Sequence, residues 1–208
     1  MRAIVNVNEE WGIGCGGNLL VNIPDDMKFF RRTTAGSIVI MGRKTLESFP
    51  ESRPLKGRVN IVLTGDSSRI SEESRQAADV WIDGLDTSEG RERFKELAKG
   101  VLASKDAPVS ERATVLAVLY SSEEAVDICT DFDADSVFVI GGASIYEEML
   151  PYCDSCMVTI NDSKNKADTF FPDLDKLPDW EHAETGNIEE YEGIHYHFDT
   201  FRRVGKNV

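Results

Sequence analysis

Three apolar runs each end at glycine, and nothing else in the sequence limits the fold as much. Ser37-Ile38-Val39-Ile40-Met41 leads into Gly42-Arg43-Lys44-Thr45, Val59-Asn60-Ile61-Val62-Leu63 into Thr64-Gly65, and Ser136-Val137-Phe138-Val139-Ile140 into Gly141-Gly142. Nearly continuous apolar runs of this length read as strands buried on both faces, the pattern of a parallel sheet covered by helices. A strand that turns at glycine into a helix start leaves backbone N–H groups free, and Arg43 and Lys44 put two cations beside the first such turn. Together the three ends predict an α/β sheet that grips a phosphate-rich cofactor at the carboxyl ends of its strands. Gly12-Ile13-Gly14-Cys15-Gly16-Gly17 has the spacing of a dinucleotide fingerprint, but no helix follows it, so an ordinary Rossmann unit is disfavoured.

A second stretch brings a carboxylate to an apolar place. In Ile23-Pro24-Asp25-Asp26-Met27-Lys28-Phe29-Phe30 the proline suits a first helical turn and the aspartates its positive dipole end. With Asp26 turned inward, Phe29 and Phe30 share its face at helical spacing, a wall suited to a flat basic heterocycle. The plainer alternative is a helix start with both aspartates in solvent.

The remainder of the chain fills out the sheet. Ala3-Ile4-Val5-Asn6-Val7 is a short strand, followed by a glycine-rich segment over 9–18 that is either a loop able to close over a ligand or a plain surface turn. Residues 66–112 break the pattern with many charges, and Phe94, Leu97, Val101 and Leu102 predict a helix near 89–104. This segment reads as an insertion at the edge of a single domain spanning 1–208, its helix solvated. A strand over 113–120, a capped helix after Ser121, a strand at Met157-Val158-Thr159-Ile160 and a C-terminal antiparallel hairpin within 180–204 complete the chain. His182, His195 and His197 are too scattered for a metal site, and the lone Cys153-x-x-Cys156 lacks the second ligand pair of a structural zinc; no metal is expected.

Charge bears on partners. The formal net charge is −14, divided as +3 over residues 1–65, −9 over 66–135 and −8 over 136–208. An acidic whole argues against nucleic acid and anionic membranes, while the basic first third can hold an anionic small molecule. No run approaches the roughly 20 apolar residues of a spanning helix, and no signal-peptide pattern opens the chain, so a soluble cytoplasmic protein is expected.

Taken in order, Gly12-Ile13-Gly14, Ile23-Pro24-x-Asp26-x-x-x-Phe30, Ile40-Met41-Gly42-Arg43-Lys44-Thr45, Arg53-Pro54-Leu55-x-Gly57-Arg58-x-Asn60, Val139-Ile140-Gly141-Gly142-x-x-x-Tyr146 and Asp168-Thr169-x-Phe171-Pro172 resemble the dihydrofolate reductases of bacterial type, over about 1–66 and 113–204. The resemblance implies an eight-stranded, mostly parallel mixed sheet flanked by helices, binding NADPH and dihydrofolate (or antifolates) in one cleft, in a monomer. It implies hydride transfer to pterin C6 and protonation of N5 from water. Asp26 would orient the pterin through its amino group and N3, supported by Thr159. Ile4, Phe30, Phe49, Leu55 and Ile140 would line the pocket, and Arg58 would clamp the glutamate α-carboxylate in a planar bidentate fork.

On the cofactor side the resemblance assigns Gly42, Arg43, Lys44 and Thr45 to the pyrophosphate and 2′-phosphate, and Leu63, Thr64 and Gly65 to the adenosine. Gly141 and Gly142 match a pair joined by a cis peptide; Ala143, Ser144, Ile145 and Tyr146 would lie near the nicotinamide, with Asn6, Ile13 and Thr169 at further contacts. Some residues depart from the family. Leu19-Leu20-Val21 replaces the usual Leu-Pro-Trp of the mobile loop, Asn6 stands where alanine is usual, Ser144 and Gly65 replace residues that help hold the 2′-phosphate in some members, Asp66 lies near that site, and 66–112 is unusual. Two competing readings are a riboflavin-pathway reductase of the same fold, which would not call for Asp26 and Arg58 together, and a non-catalytic binding protein.

Overall fold

The structure, a computed structural model, describes residues 1–205. In chain order its elements are β1 (Arg2–Asn8), β2 (Gly12–Cys15), β3 (Asn18–Leu19), α1 (Pro24–Thr33), β4 (Ile38–Gly42), α2 (Arg43–Ser48), β5 (Val59–Leu63), α3 (Glu72–Gln76), β6 (Val80–Asp83) and α4 (Ser88–Ala103). There follow β7 (Val115–Leu119), α5 (Ser122–Cys129), β8 (Val137–Gly141), α6 (Ala143–Met149), β9 (Ser155–Asn161), β10 (Thr169–Phe170), β11 (Trp180–Thr185), β12 (Glu189–Tyr191) and β13 (Ile194–Arg203).

The main sheet runs β11-β13-β9-β1-β8-β4-β5-β7-β6, with β12 paired to β13. Strands β9 through β6 along that order are parallel, and β11, β12 and β13 pair antiparallel. This is the expected mixed sheet with its C-terminal hairpin, but it has ten strands rather than eight. The two additions are the short β12 and the outermost β6, whose Val-Trp-Ile-Asp is too brief and too mixed to stand out among the charges of 66–112.

Because side chains alternate along a strand, the sheet divides the core in two. Ala3, Val5, Ile38, Ile40, Val137 and Val139 face one cluster, and Ile4, Val39, Met41, Phe138 and Ile140 face the other. Asp26 and the expected substrate-lining residues belong to the second face.

Residues 66–112 join both faces. Phe94, Ala98 and Val101, at helical spacing on α4, are buried in the first cluster, and Thr87 caps that helix by accepting from Gly90 N–H at 3.0 Å. Ile70, Ala78 and Trp81 pack in the second. The helix is therefore amphipathic and packed rather than solvated all round: its charges occupy only the outer face. The glycine-rich segment is likewise ordered, as β2 and β3 pair with each other and β2 pairs with β10 in a separate three-stranded sheet. No helix among the described residues is long and apolar enough to cross a membrane.

Candidate active site

The two adjacent aspartates of α1 have different fates. Asp25 faces outward, paired with Lys28 at 2.7 Å and accepting from the Tyr196 hydroxyl at 3.2 Å. Asp26, half-buried, turns toward the second face of the sheet. Strands β1 and β9 run in parallel with Asn6 opposite Thr159, so both side chains reach it: Thr159 Oγ1 donates to Oδ1 at 2.6 Å and Asn6 Nδ2 to Oδ2 at 2.9 Å. Burial raises the Asp26 pKa above the usual carboxylate value, and the bonds from Asn6 and Thr159 act against that rise. A carboxylate has about two acceptor sites per oxygen, so each oxygen keeps one for a ligand. That leaves a pair of acceptors side by side, the complement of an N–H and an adjacent amino group on a flat ring.

Apolar walls and a cation complete this side. Ile4, Phe30, Phe49, Leu55 and Ile140 all pack in the second cluster, as does Phe29, whose ring also meets Phe198 at a tilt with centroids 4.8 Å apart. Arg58 is only 7 % exposed. Its Nε donates to the Thr34 carbonyl at 2.9 Å and to Thr34 Oγ1 at 3.0 Å, and its two terminal nitrogens to the carbonyls of Lys56 and Arg31 at 3.0 Å each. Burial, with Arg112 and Arg31 nearby, lowers its pKa to about 10. No carboxylate pairs with it among the described residues. A buried guanidinium whose neighbours are cations suits an anionic ligand. The buried Asn60 shapes this turn by accepting from Leu55 N–H at 2.8 Å and donating to the Leu55 carbonyl at 3.0 Å.

The three glycine ends lie next to one another, since β4 is flanked by β8 and β5 with Met41 opposite Gly141 and Gly42 opposite Leu63. The Gly141-Gly142 peptide is cis. A Cβ on Gly42 would stand 3.0 Å from Ile145 Cγ1, and one on Gly141, whose φ is +120°, would stand 3.3 Å from the Tyr146 ring and 3.6 Å from Thr45 Oγ1. Glycine is thus what lets the start of α2 approach the start of α6, and no side chain caps either helix. The Tyr146 hydroxyl donates to the Ile4 carbonyl at 2.7 Å, which ties the cofactor side to the substrate side. Arg43 is paired with Glu47, and exposed Lys44 has no ion-pair partner among the described residues. These open backbone cradles and a cation fit a dinucleotide phosphate. Ala143, Ser144, Thr64 and Gly65 border the same end, and a Cβ on Gly65 would meet nothing within 4 Å. Asp66 lies within the electrostatic reach of Arg43.

Ile13 and Thr169 stand apart, on the three-stranded sheet. There Gly16 N–H donates to Asp168 Oδ2 at 2.8 Å and Asp168 N–H to the Gly14 carbonyl at 3.0 Å, which hold the β2-β3 hairpin against β10. Residue 161 was not among the expected site residues because it lies one place past the apolar run ending at Ile160. The available signal was a polar residue continuing the alternation of Thr159 on the face of Asp26. A surface concavity of about 550 Å3 lies along α4 and is lined by none of these residues.

The model of the family described as dihydrofolate reductase matches residues 1–93 and 90–203. The chain belongs to the dihydrofolate reductase family. Its reaction is that of the family, NADPH-dependent reduction of dihydrofolate to tetrahydrofolate. The dihydrofolate reductase of Rattus norvegicus is 32% identical over 219 residues, covering 98% of this chain and 97% of that protein. That of Neisseria gonorrhoeae is 33% identical over 187 residues, covering 89% and 87%. The bifunctional dihydrofolate reductase-thymidylate synthase of Glycine max is 31% identical over 98% of this chain, which spans only 33% of that longer protein. Among solved structures, the Enterococcus faecalis dihydrofolate reductase complexed with NADP(H) and RAB-propyl superposes with a TM-score of 0.67 at 25% identity, covering 98% of this chain and 96% of that one. The family match favours dihydrofolate reductase over the riboflavin-pathway alternative.

Proposed function

We propose that the cleft between α1 and the ends of β4, β5 and β8 carries out this reaction with the following division of labour. Asp26 holds the pterin by its amino group and N3–H. Ile4, Phe30, Phe49, Leu55 and Ile140 exclude water from its faces, and Arg58 takes the α-carboxylate of the glutamate tail. Bound NADPH supplies the hydride for pterin C6. Its phosphates would lie along Gly42 to Thr45, with Arg43 and Lys44 favouring the 2′-phosphate; its adenosine against Leu63, Thr64 and Gly65; its nicotinamide near Gly141, Gly142, Ala143, Ser144, Ile145 and Tyr146; and Ile13 and Thr169 closing over it. The proton for N5 comes from water, and ionised Asp26 favours its arrival electrostatically.

The observation that carries this reading is Asp26 itself: a half-buried carboxylate oriented by two donors, with one acceptor site left on each oxygen. We further propose one domain in which 66–112 is an integral part, acting as a cytoplasmic monomer.

The test is NADPH oxidation by the pure protein. Oxidation that depends on dihydrofolate, is slower with NADH and falls at least about 100-fold in Asp26→Asn at neutral pH is expected, the size of a lost charge stabilisation in a dry site. Near-normal turnover in that variant would remove Asp26 from the mechanism. No oxidation by a folded protein that binds both ligands would make the chain a binding protein.

A further inference from the structure

We infer that Asn6 is a positioning residue for Asp26, oriented by a chain of amides whose polarity is set by the backbone at Val7 and Ser163. The inference rests on Asp26 as the pterin-holding carboxylate and deepens that reading by identifying what fixes the direction of one of its two donors.

The chain begins at Ser163, whose N–H donates to Asn161 Oδ1 at 3.1 Å. Asn161, 1 % exposed, then has only its Nδ2 hydrogens to offer, and they go to the Val7 carbonyl at 2.7 Å and to Asn6 Oδ1 at 2.8 Å. With its oxygen so occupied, Asn6 presents Nδ2 to Asp26 Oδ2 at 2.9 Å. A side-chain amide can usually be turned over without changing its shape. Here it is locked, because a backbone N–H only donates and a backbone carbonyl only accepts.

The two partners of Asp26 therefore differ. The Thr159 hydroxyl serves either state of the carboxyl, donating to the anion or accepting from the acid. The locked Asn6 N–H binds an ionised oxygen more strongly than the carbonyl of an acid, so it biases the group toward the anion. Little else does so. Asp25 on the same helix is turned to Lys28 and Tyr196; Tyr146 on α6 couples to Asp26 but is held neutral by burial; no cation from β1, β9 or α6 contributes to its ionisation. In place of a counter-cation, the site uses an amide whose direction is fixed two residues away.

The experiment is a carbon-13 NMR titration of the Asp26 carboxyl in the ligand-free protein, its resonance identified by its loss in Asp26→Asn. In Asn6→Ala the midpoint rises by about one pH unit, a roughly tenfold change in the ionised-to-protonated ratio. In Asn161→Asp the new carboxylate accepts from Asn6, turning its oxygen toward Asp26, and the midpoint rises although Asn6 is unchanged. Placed in an Asn6→Ala background, Asn161→Asp then adds less than half of that rise, which separates an oriented amide from plain charge repulsion. A midpoint unmoved in Asn6→Ala, or an Asn161→Asp effect undiminished in the double variant, would overturn the inference. Since the titration needs no turnover, it stands apart from the failure of the parent reading, which Asp26→Asn kinetics alone decides.

Discussion

Phe94 tests whether residues 66–112 are part of the domain or an appendage. Its ring is fully buried in the first cluster and meets Phe132, from the segment after α5, edge-on with centroids 6.3 Å apart and planes at 83°. Truncation to alanine removes that ring from a site walled by the sheet, and such changes cost about 3–5 kcal/mol, of which the aromatic pair accounts for about 0.5–1.5. Against a total stability of about 5–15 kcal/mol the loss is large. With a urea dependence of about 2–3 kcal/mol per molar, the unfolding midpoint of Phe94→Ala falls by roughly 1–2.5 M. The assay is urea unfolding followed in parallel by tryptophan fluorescence and far-ultraviolet circular dichroism. Both probes should trace one shifted transition, and kcat below it should stay near wild type, because Phe94 lies on the face of the sheet away from Asp26. A loss under about 1 kcal/mol, or a separate early transition with the rest still folded, would refute the reasoning.

Two further outcomes follow from the site. Burial raises the Asp26 pKa, so between its unfolded and native values the folded protein binds more protons than the unfolded chain, and stability falls as pH rises through that window. Ligand-free Asp26→Asn should therefore match wild type below about pH 3 and be more stable at neutral pH; thermal unfolding curves that stay parallel across pH would contradict this. Arg58→Lys keeps a cation but loses the fork, so KM for dihydrofolate should rise by about tenfold or more with kcat little changed. An unchanged KM in steady-state assays would place the glutamate tail elsewhere.

Much of this was legible in the sequence, for a physical reason. A strand buried on both faces must be apolar throughout, so β4, β5 and β8 show themselves as runs, and their glycines mark the turns where α2 and α6 come together. The ordered motifs then carried the family and singled out Asp26 and Arg58 as site candidates. β6 was hidden because an edge strand of four residues needs no continuous apolar run. The packed face of α4 was partly visible in Phe94 and Val101, but the surrounding charges suggested solvent on every side. Asn6 was legible as a departure but not in what it touches, since its partner Asp26 lies twenty residues along the chain, on α1. Asn161 and Ser163 are linked to Asn6 only through the parallel register of β1 and β9, which no local pattern encodes.

β6 has a consequence for any shortened form of this protein. It is the strand that covers β7, whose Val115-Leu116-Ala117-Val118-Leu119 is buried along its whole length. Cutting out 66–112 would turn that strand into a bare margin of five apolar residues with a row of unpaired backbone groups, the surface on which chains zip to one another. β6 itself is short and ends in Asp83, features that keep neighbours off. Residues 66–112 work as a selvedge: they finish the sheet with an edge that does not propagate.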